Sequence, residues 1–228
     1  MKIIVNKQVP VQVIEVLNKY GEVLLFETTG ITYPQVAGHP DLFFCAGDGK
    51  LVIAPNTPET YIENLRKSNV DFVLGKSLVG NRYPDTARFN AVITDKYLIH
   101  NLEITDPVML ETFDNLETVN IPQGYGRCSL LPLKNDCFIT SDKGVEKVLK
   151  GKGCEVLFVD PSGIILPGFE HGFFGGTAGV TDNEVFFIGS LNRFNDGEKV
   201  KSFLQNRDYK IIELYDGPLF DGGSILFV

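Results

Sequence analysis

Tryptophan is absent from this 228-residue chain, methionine occurs twice and histidine three times. With so few imidazoles, and no His-x-His or HExxH spacing, no dedicated metal site is expected. Positive charge is also short. The 21 Lys and Arg face 29 Asp and Glu, for a net charge of -8. Phosphate contacts need clustered basic residues, so nucleic acid is not an expected partner. A small cationic ligand is easier to accommodate. No apolar run approaches the ~20 residues of a membrane span, so no membrane partner is expected. The start, MKIIVNKQVP, has no apolar stretch long enough for a signal peptide. The four cysteines, Cys45, Cys128, Cys137 and Cys154, lack CxxC spacing. They read as reduced thiols of a cytoplasmic protein.

What is present is a repeat. Leu42 to Cys45, the Gly47-Asp48-Gly49 turn and Leu51 to Ala54 read as a β-hairpin, because Asp-Gly tolerates positive φ. Thr57-Pro58-Glu59 reads as a helix start, with the Thr57 hydroxyl as cap. Tyr61, Ile62 and Leu65 share one face of that helix. Asp71 to Leu74 closes the unit as a strand. The turn acids Asp48, Asp95, Asp136 and Asp182 recur at intervals of 47, 41 and 46 residues. Each lies between apolar runs and is followed by a helix start, at Asp106-Pro107, Asp142 and Asn195-Asp196. A strand closes each unit: Leu116 to Ile121, Cys154 to Val159 and Tyr209 to Leu214. A period of this size marks a repeat architecture.

A fifth copy is split between the chain ends. Asp221-Gly222-Gly223 opens the run Ile225 to Val228. Lys2 to Val5, a helix over Val9 to Tyr20 and a strand over Glu22 to Phe26 supply the remainder. The reading is an α/β ring of ββαβ modules around a central cavity, in which terminal strands pair and remove two sheet edges. One domain is expected over 1–228, with modules near 37–75, 83–121, 124–159, 171–214, and 220–228 joined to 1–27. A conventional parallel-sheet α/β sandwich is the alternative.

Equivalent loops of such a ring lie on one rim, where a rigid scaffold concentrates sites. The polar residues at the module starts are His39, Asp41, Asp85, Arg88, Asn90, Arg127, Cys128, Glu170, His171, Asp221 and Ser224. Asp41, Asp85, Glu170 and Asp221 form a set of carboxylates suited to a guanidinium or ammonium group. Arg127 would meet a ligand carboxylate. Cys128 beside Arg127 is a candidate nucleophile, with His39 or His171 as base. Buried inert thiol and backbone-bonded loop histidine are the competing structural readings. His100 reads as structural. Gly175-Gly176-Thr177-Ala178-Gly179 lacks the Lys-Ser/Thr of a phosphate loop, and no cofactor is expected.

Five ββαβ modules in a ring resemble the pentein fold of the guanidino-group-modifying enzymes, which include deiminases, dimethylarginine dimethylaminohydrolase and amidinotransferases. Asp41-Leu42-Phe43-Phe44 resembles their segment bearing a substrate carboxylate. Arg88-Phe89-Asn90 lies where they carry Gly-Gly-Asp. Asp221-Gly222-Gly223 is similar to the glycine-rich run before their nucleophilic cysteine. The chain also resembles a small bacterial branch lacking the usual Cys-His pair. Where the resemblance would place that cysteine, this chain has Ser224, Ile225 and Leu226. Where it would place His-x-Asp, at the third module, it has Gly126-Arg127-Cys128. The expectation is therefore a binder of a small guanidino, amine or amide ligand without deiminase activity on arginine or agmatine. A divergent hydrolase or amidinotransferase-like enzyme using Cys128 is one alternative. A non-catalytic protein-interaction ring is another, because the fold also has non-catalytic members.

Overall fold

The computed structural model describes residues 1–228. The chain opens with β1 (Lys2–Asn6), α1 (Val11–Leu17) and β2 (Glu22–Phe26). Then come β3 (Phe44–Gly47), β4 (Lys50–Ile53), α2 (Glu59–Lys67) and β5 (Val73–Leu74). The next unit is β6 (Val92–Ile93), β7 (Tyr97–His100), α3 (Pro107–Thr112) and β8 (Glu117–Asn120). A single helical turn, α4 (Gly126–Ser129), precedes β9 (Leu130–Leu133), β10 (Cys137–Thr140), α5 (Lys143–Gly151) and β11 (Glu155–Phe158). The last units are β12 (Ala178–Val180), β13 (Glu184–Phe187), α6 (Gly197–Gln205), β14 (Lys210–Glu213) and β15 (Leu226–Phe227).

These strands make five three-stranded sheets of one connectivity: β15-β1-β2, β3-β4-β5, β6-β7-β8, β9-β10-β11 and β12-β13-β14. In each, the first strand runs antiparallel to the middle one and the third runs parallel to it. In the four units continuous in sequence a tight turn serves the antiparallel pair, and in all five the parallel pair needs a crossover, which the helix provides. Asp48 and Gly49 both have positive φ, at 51° and 68°, the geometry of a two-residue hairpin turn. The split unit closes as the sequence implies. Ile3 faces Phe227 and Ile4 faces Leu226. The Lys2 amide donates to Val228 O at 2.6 Å, and the Val228 amide returns a bond to Lys2 O at 2.9 Å.

The first strands lie side by side about the axis: β3 beside β6, β6 beside β9, β9 beside β12 and β12 beside β15. Leu226 of β15 completes the circuit by joining the core cluster that holds Phe43, Phe44 and Val52 of the β3 unit. Core clusters mix residues of adjacent sheets. Ile99 and Val119 pack with Phe138 and Val145, and Ile3 and Val13 with Phe186 and Leu214. Each sheet thus buries its apolar side chains against its neighbours.

Side-chain caps differ among the helices. Asp142 accepts from the Gly144 and Val145 amides, and Asp106 from Val108. The second carboxylate oxygen of Asp106 reaches back to the Lys76 and Ser77 amides at 3.0 and 2.6 Å. That contact ties α3 to the preceding loop. The expected Thr57 cap does not form. Pro58 takes the cap position, and the buried Thr57 hydroxyl has no partner.

Candidate functional site

Because the sheets share one connectivity, the segments entering their first strands converge on the axis. His39 and Asp41 come from the turn before β3, Asn90 from the loop before β6, and Cys128 from α4 before β9. Asp221 and Ser224 precede β15. These six side chains are buried.

The group is bonded as one network. The Cys128 thiol donates to Asp41 Oδ2 at 3.1 Å, and Ser224 Oγ donates to the same oxygen at 2.6 Å. Asn90 spans the pair. Its Oδ1 accepts from the Cys128 amide at 3.0 Å, while its Nδ2 donates to Asp41 O at 3.1 Å and approaches Cys128 Sγ at 3.4 Å. Asp221 accepts from the Phe173 amide at 2.8 Å and the Gly223 amide at 3.1 Å. Two buried polar atoms here have no partner: His39 Nε2 and Asp41 Oδ1. One donor atom from each of His39, Asp41 and Cys128 lies within 4.8 Å of the other two.

Local backbone geometry makes the convergence feasible. Gly223 has φ of 73°, and a Cβ there would run into the His39 side chain. Gly176 has no room for one beside the Asp221 carboxylate. Ser224 adopts φ of 72° although it is not a glycine. Such strain persists only where the surroundings hold it, and it concentrates at functional sites.

The network forms the floor of a cavity of about 320 Å³. His39, Cys128 and Asp221 reach the cavity, and Asp41 stands directly behind them. The walls are largely aromatic, from Tyr33, Tyr125, Phe169 and Phe173, with Glu170 and His171 lining the opening. No lysine or arginine lines it.

Burial governs the electrostatics. It pushes the Asp221 carboxyl up to about 6, against opposing amide hydrogen bonds and the charge of Arg127. It also raises Asp41, despite the nearby imidazole and the two donors to its carboxylate. The Cys128 thiol lies well above its ordinary value, through burial first and then the charges of Asp41 and Asp221. His39 is held low by burial, so its imidazole is neutral. The resting floor is therefore a neutral thiol and a neutral imidazole beside two buried carboxyls.

Not every rim residue reaches this centre. Asp85 pairs with Arg88 at 2.6 Å on the surface, and neither lines the cavity. Arg127 adjoins Cys128 in sequence, but its guanidinium turns away and donates to Gly175 O at 2.8 Å and Ala178 O at 2.9 Å. It lines a separate pocket with Lys50 and Phe227 instead. The expectation that it meets a ligand carboxylate in this cavity is corrected accordingly. His171 donates to or accepts from no residue but its neighbour Gly172, and sits at the mouth. His100 is engaged on both nitrogens, by Thr105 and Gly124 O, and is structural. The aromatic walls carried no sequence signal, because they come from irregular loops outside the repeating pattern.

The family model described as "Family of unknown function (DUF6873)" matches residues 4–226. The chain belongs to this family. No curated protein matches it. Among solved structures it is similar to an amidinotransferase of the saxitoxin biosynthetic pathway from Microseira wollei. Identity is 11%, coverage is 93% of this chain and 87% of that one, and the TM-score is 0.55. It is similar to DDAH from Pseudomonas aeruginosa complexed with citrulline, at 9% identity, 93% and 91% coverage and a TM-score of 0.53. It is similar to C. jejuni agmatine deiminase, at 11% identity, 92% and 74% coverage and a TM-score of 0.54. Likeness at such low identity is likeness of fold. This DUF6873 protein has the pentein fold, with five pseudo-symmetric units around a central cavity.

Proposed function

We propose that the central cavity binds a small molecule through a guanidino, amine or amide group, and that the whole ring acts as one domain in the reducing cytoplasm. One observation carries this reading. Two carboxyls are buried here, Asp221 lining the cavity and Asp41 hydrogen-bonded to the Cys128 that lines it, and no lysine or arginine lines the cavity. A buried charge is costly unless paired, so the missing cation is assigned to the ligand. The aromatic walls fit a flat cation, which is attracted to ring faces. Glu170 at the mouth adds a third carboxylate, while Asp85, paired with Arg88, adds none. Fold neighbours include an agmatine deiminase and a DDAH bound to citrulline, which is consistent with such a ligand class.

A second reading has its own support. The His-x-Asp spacing expected at the third module occurs at the first, as His39-Pro40-Asp41, and the cysteine lies in the third module instead of the fifth. Both groups have moved by two modules in the same direction around the ring. In that reading Cys128 gives its proton to Asp41, and Sγ attacks the amidine or amide carbon. The amine leaves with a proton, and water then breaks the S–C bond.

Thermal melting with agmatine, arginine and neutral citrulline tests the binding proposal. Stabilisation by the cations and not by citrulline supports it. Product formation that depends on Cys128 moves the account to the enzyme reading. Failure of a broad panel of cationic metabolites to bind would overturn both and favour a protein-interaction ring.

A further inference from the structure

The sequence spacing points to no metal, yet folding assembles a mixed donor set. We infer that His39, Asp41 and Cys128 form a binding site for a borderline transition-metal ion of the zinc class. His39 and Asp41 come from the turn before β3 and Cys128 from α4, 87 residues from Asp41 in sequence. No local motif could reveal such a set.

Three observations carry the inference. One donor atom from each residue lies within 4.8 Å of the other two, and all three residues are buried. Zinc bonds of about 2.0–2.3 Å hold neighbouring donors roughly 3.3–3.8 Å apart. A contraction on the order of 1 Å therefore closes the triad on an ion. The second observation is independent of this spacing. His39 Nε2 and Asp41 Oδ1 are buried without any partner, a costly arrangement that an ion removes at both atoms. The third is the support behind the triad. Ser224 Oγ donates to Asp41 Oδ2, leaving Oδ1 free to ligate. Asn90 holds the Cys128 amide through its Oδ1. Such outer hydrogen bonds orient ligating side chains.

One nitrogen, one oxygen and one sulfur select zinc, cobalt or a related ion over magnesium or calcium, which prefer oxygen throughout. On binding, the Cys128 S–H bond breaks, its proton passes to solvent, and the thiolate takes up the metal. No change of oxidation state is needed. Three protein donors leave a fourth position, at which water or a small ligand would complete a tetrahedron. This inference does not rest on the cation-binding reading, although a metal and an organic cation would both draw on the charge of Asp41.

The test adds Co²⁺ to the reduced full-length chain and reads the thiolate-to-cobalt charge-transfer band. We expect one cobalt per chain, a tetrahedral visible spectrum and displacement by Zn²⁺. Cys128→Ser should abolish the charge-transfer band, and Asp41→Asn or His39→Gln should weaken binding at least ~10-fold. Cys137→Ser, which removes a thiol beside Glu155 and outside the triad, should leave the band unchanged. Circular dichroism establishes that each variant is folded. If Cys128→Ser does not fold, His39→Gln carries the test. Absence of a band in the wild-type protein, or a band that survives Cys128→Ser or His39→Gln undiminished, would overturn the site.

Discussion

Cys128 and Asp41 are joined by a 3.1 Å hydrogen bond although 87 residues separate them, and the thiol is the donor. That direction sets the resting chemistry of the floor. A thiol donating to a buried carboxyl, with its own ionisation pushed well above the usual value, holds its proton at neutral pH. Cys128 should therefore be slow to alkylate in the free protein. Burial and the charges of Asp41 and Asp221 therefore keep it a thiol rather than a thiolate. Iodoacetamide labelling followed by peptide mass spectrometry checks this. We expect Cys128 to react much more slowly than a free peptide thiol. Rapid, selective labelling without ligand would contradict the electrostatic picture and favour a pre-activated nucleophile.

Asp106 offers a stability test away from the cavity. Its carboxylate accepts from the Lys76, Ser77 and Val108 amides and is fully buried. Asp106→Ala removes a helix cap and strands two loop amides. The expected loss is about 2–4 kcal/mol by urea unfolding. A loss under about 0.5 kcal/mol would mean that water replaces the carboxylate at little cost.

His100 gives a pH signature. Burial lowers its ionisation from 6.5 to about 4. Below pH 6.5 the unfolded chain therefore binds a proton that the folded chain refuses until about pH 4. The neutral imidazole's contribution is complete above pH 6.5 and is lost as pH falls toward 4. Comparing the wild-type protein with His100→Gln across that window isolates the effect from other groups. The wild-type advantage should shrink by about 3 kcal/mol between pH 7 and pH 4. An advantage independent of pH would show that His100 is not kept neutral.

Classical deiminase activity should be absent. The position expected for the nucleophile is Leu226, and the one expected for the third-module histidine lies at Gly126-Arg127-Cys128. Incubation of pure protein with arginine or agmatine should yield no citrulline or carbamoylputrescine above background. Robust product would overturn this expectation.

The architecture was largely legible because it repeats. Asp48, Asp95, Asp136 and Asp182 mark hairpins at intervals of 41 to 47 residues, and the positive φ of Asp48 and Asp136 restricts residue choice at those turns. The split unit followed from the unmatched halves at Lys2 to Val5 and Ile225 to Val228. Asp41, Asn90, Cys128 and Ser224 occupy equivalent module starts, which places them in one set. Side-chain direction was not legible. Arg127 neighbours Cys128, yet backbone carbonyls of Gly175 and Ala178 draw its guanidinium away. Asp85 is captured by Arg88 three residues on, which local sequence permits but does not compel. Tyr33, Tyr125, Phe169 and Phe173 line the cavity from loops whose course no period encodes.

In the proposed complex the ligand supplies the cation missing from the cavity floor. Burial keeps Asp221 near 6 and raises Asp41, so an incoming cation should draw protons off these carboxyls. Isothermal titration of agmatine in buffers of different ionisation enthalpy counts those protons directly. We predict net proton release on binding, and an affinity loss of at least ~10-fold in a folded Asp221→Ala variant. Proton uptake, or binding indifferent to Asp221→Ala, would contradict the claim.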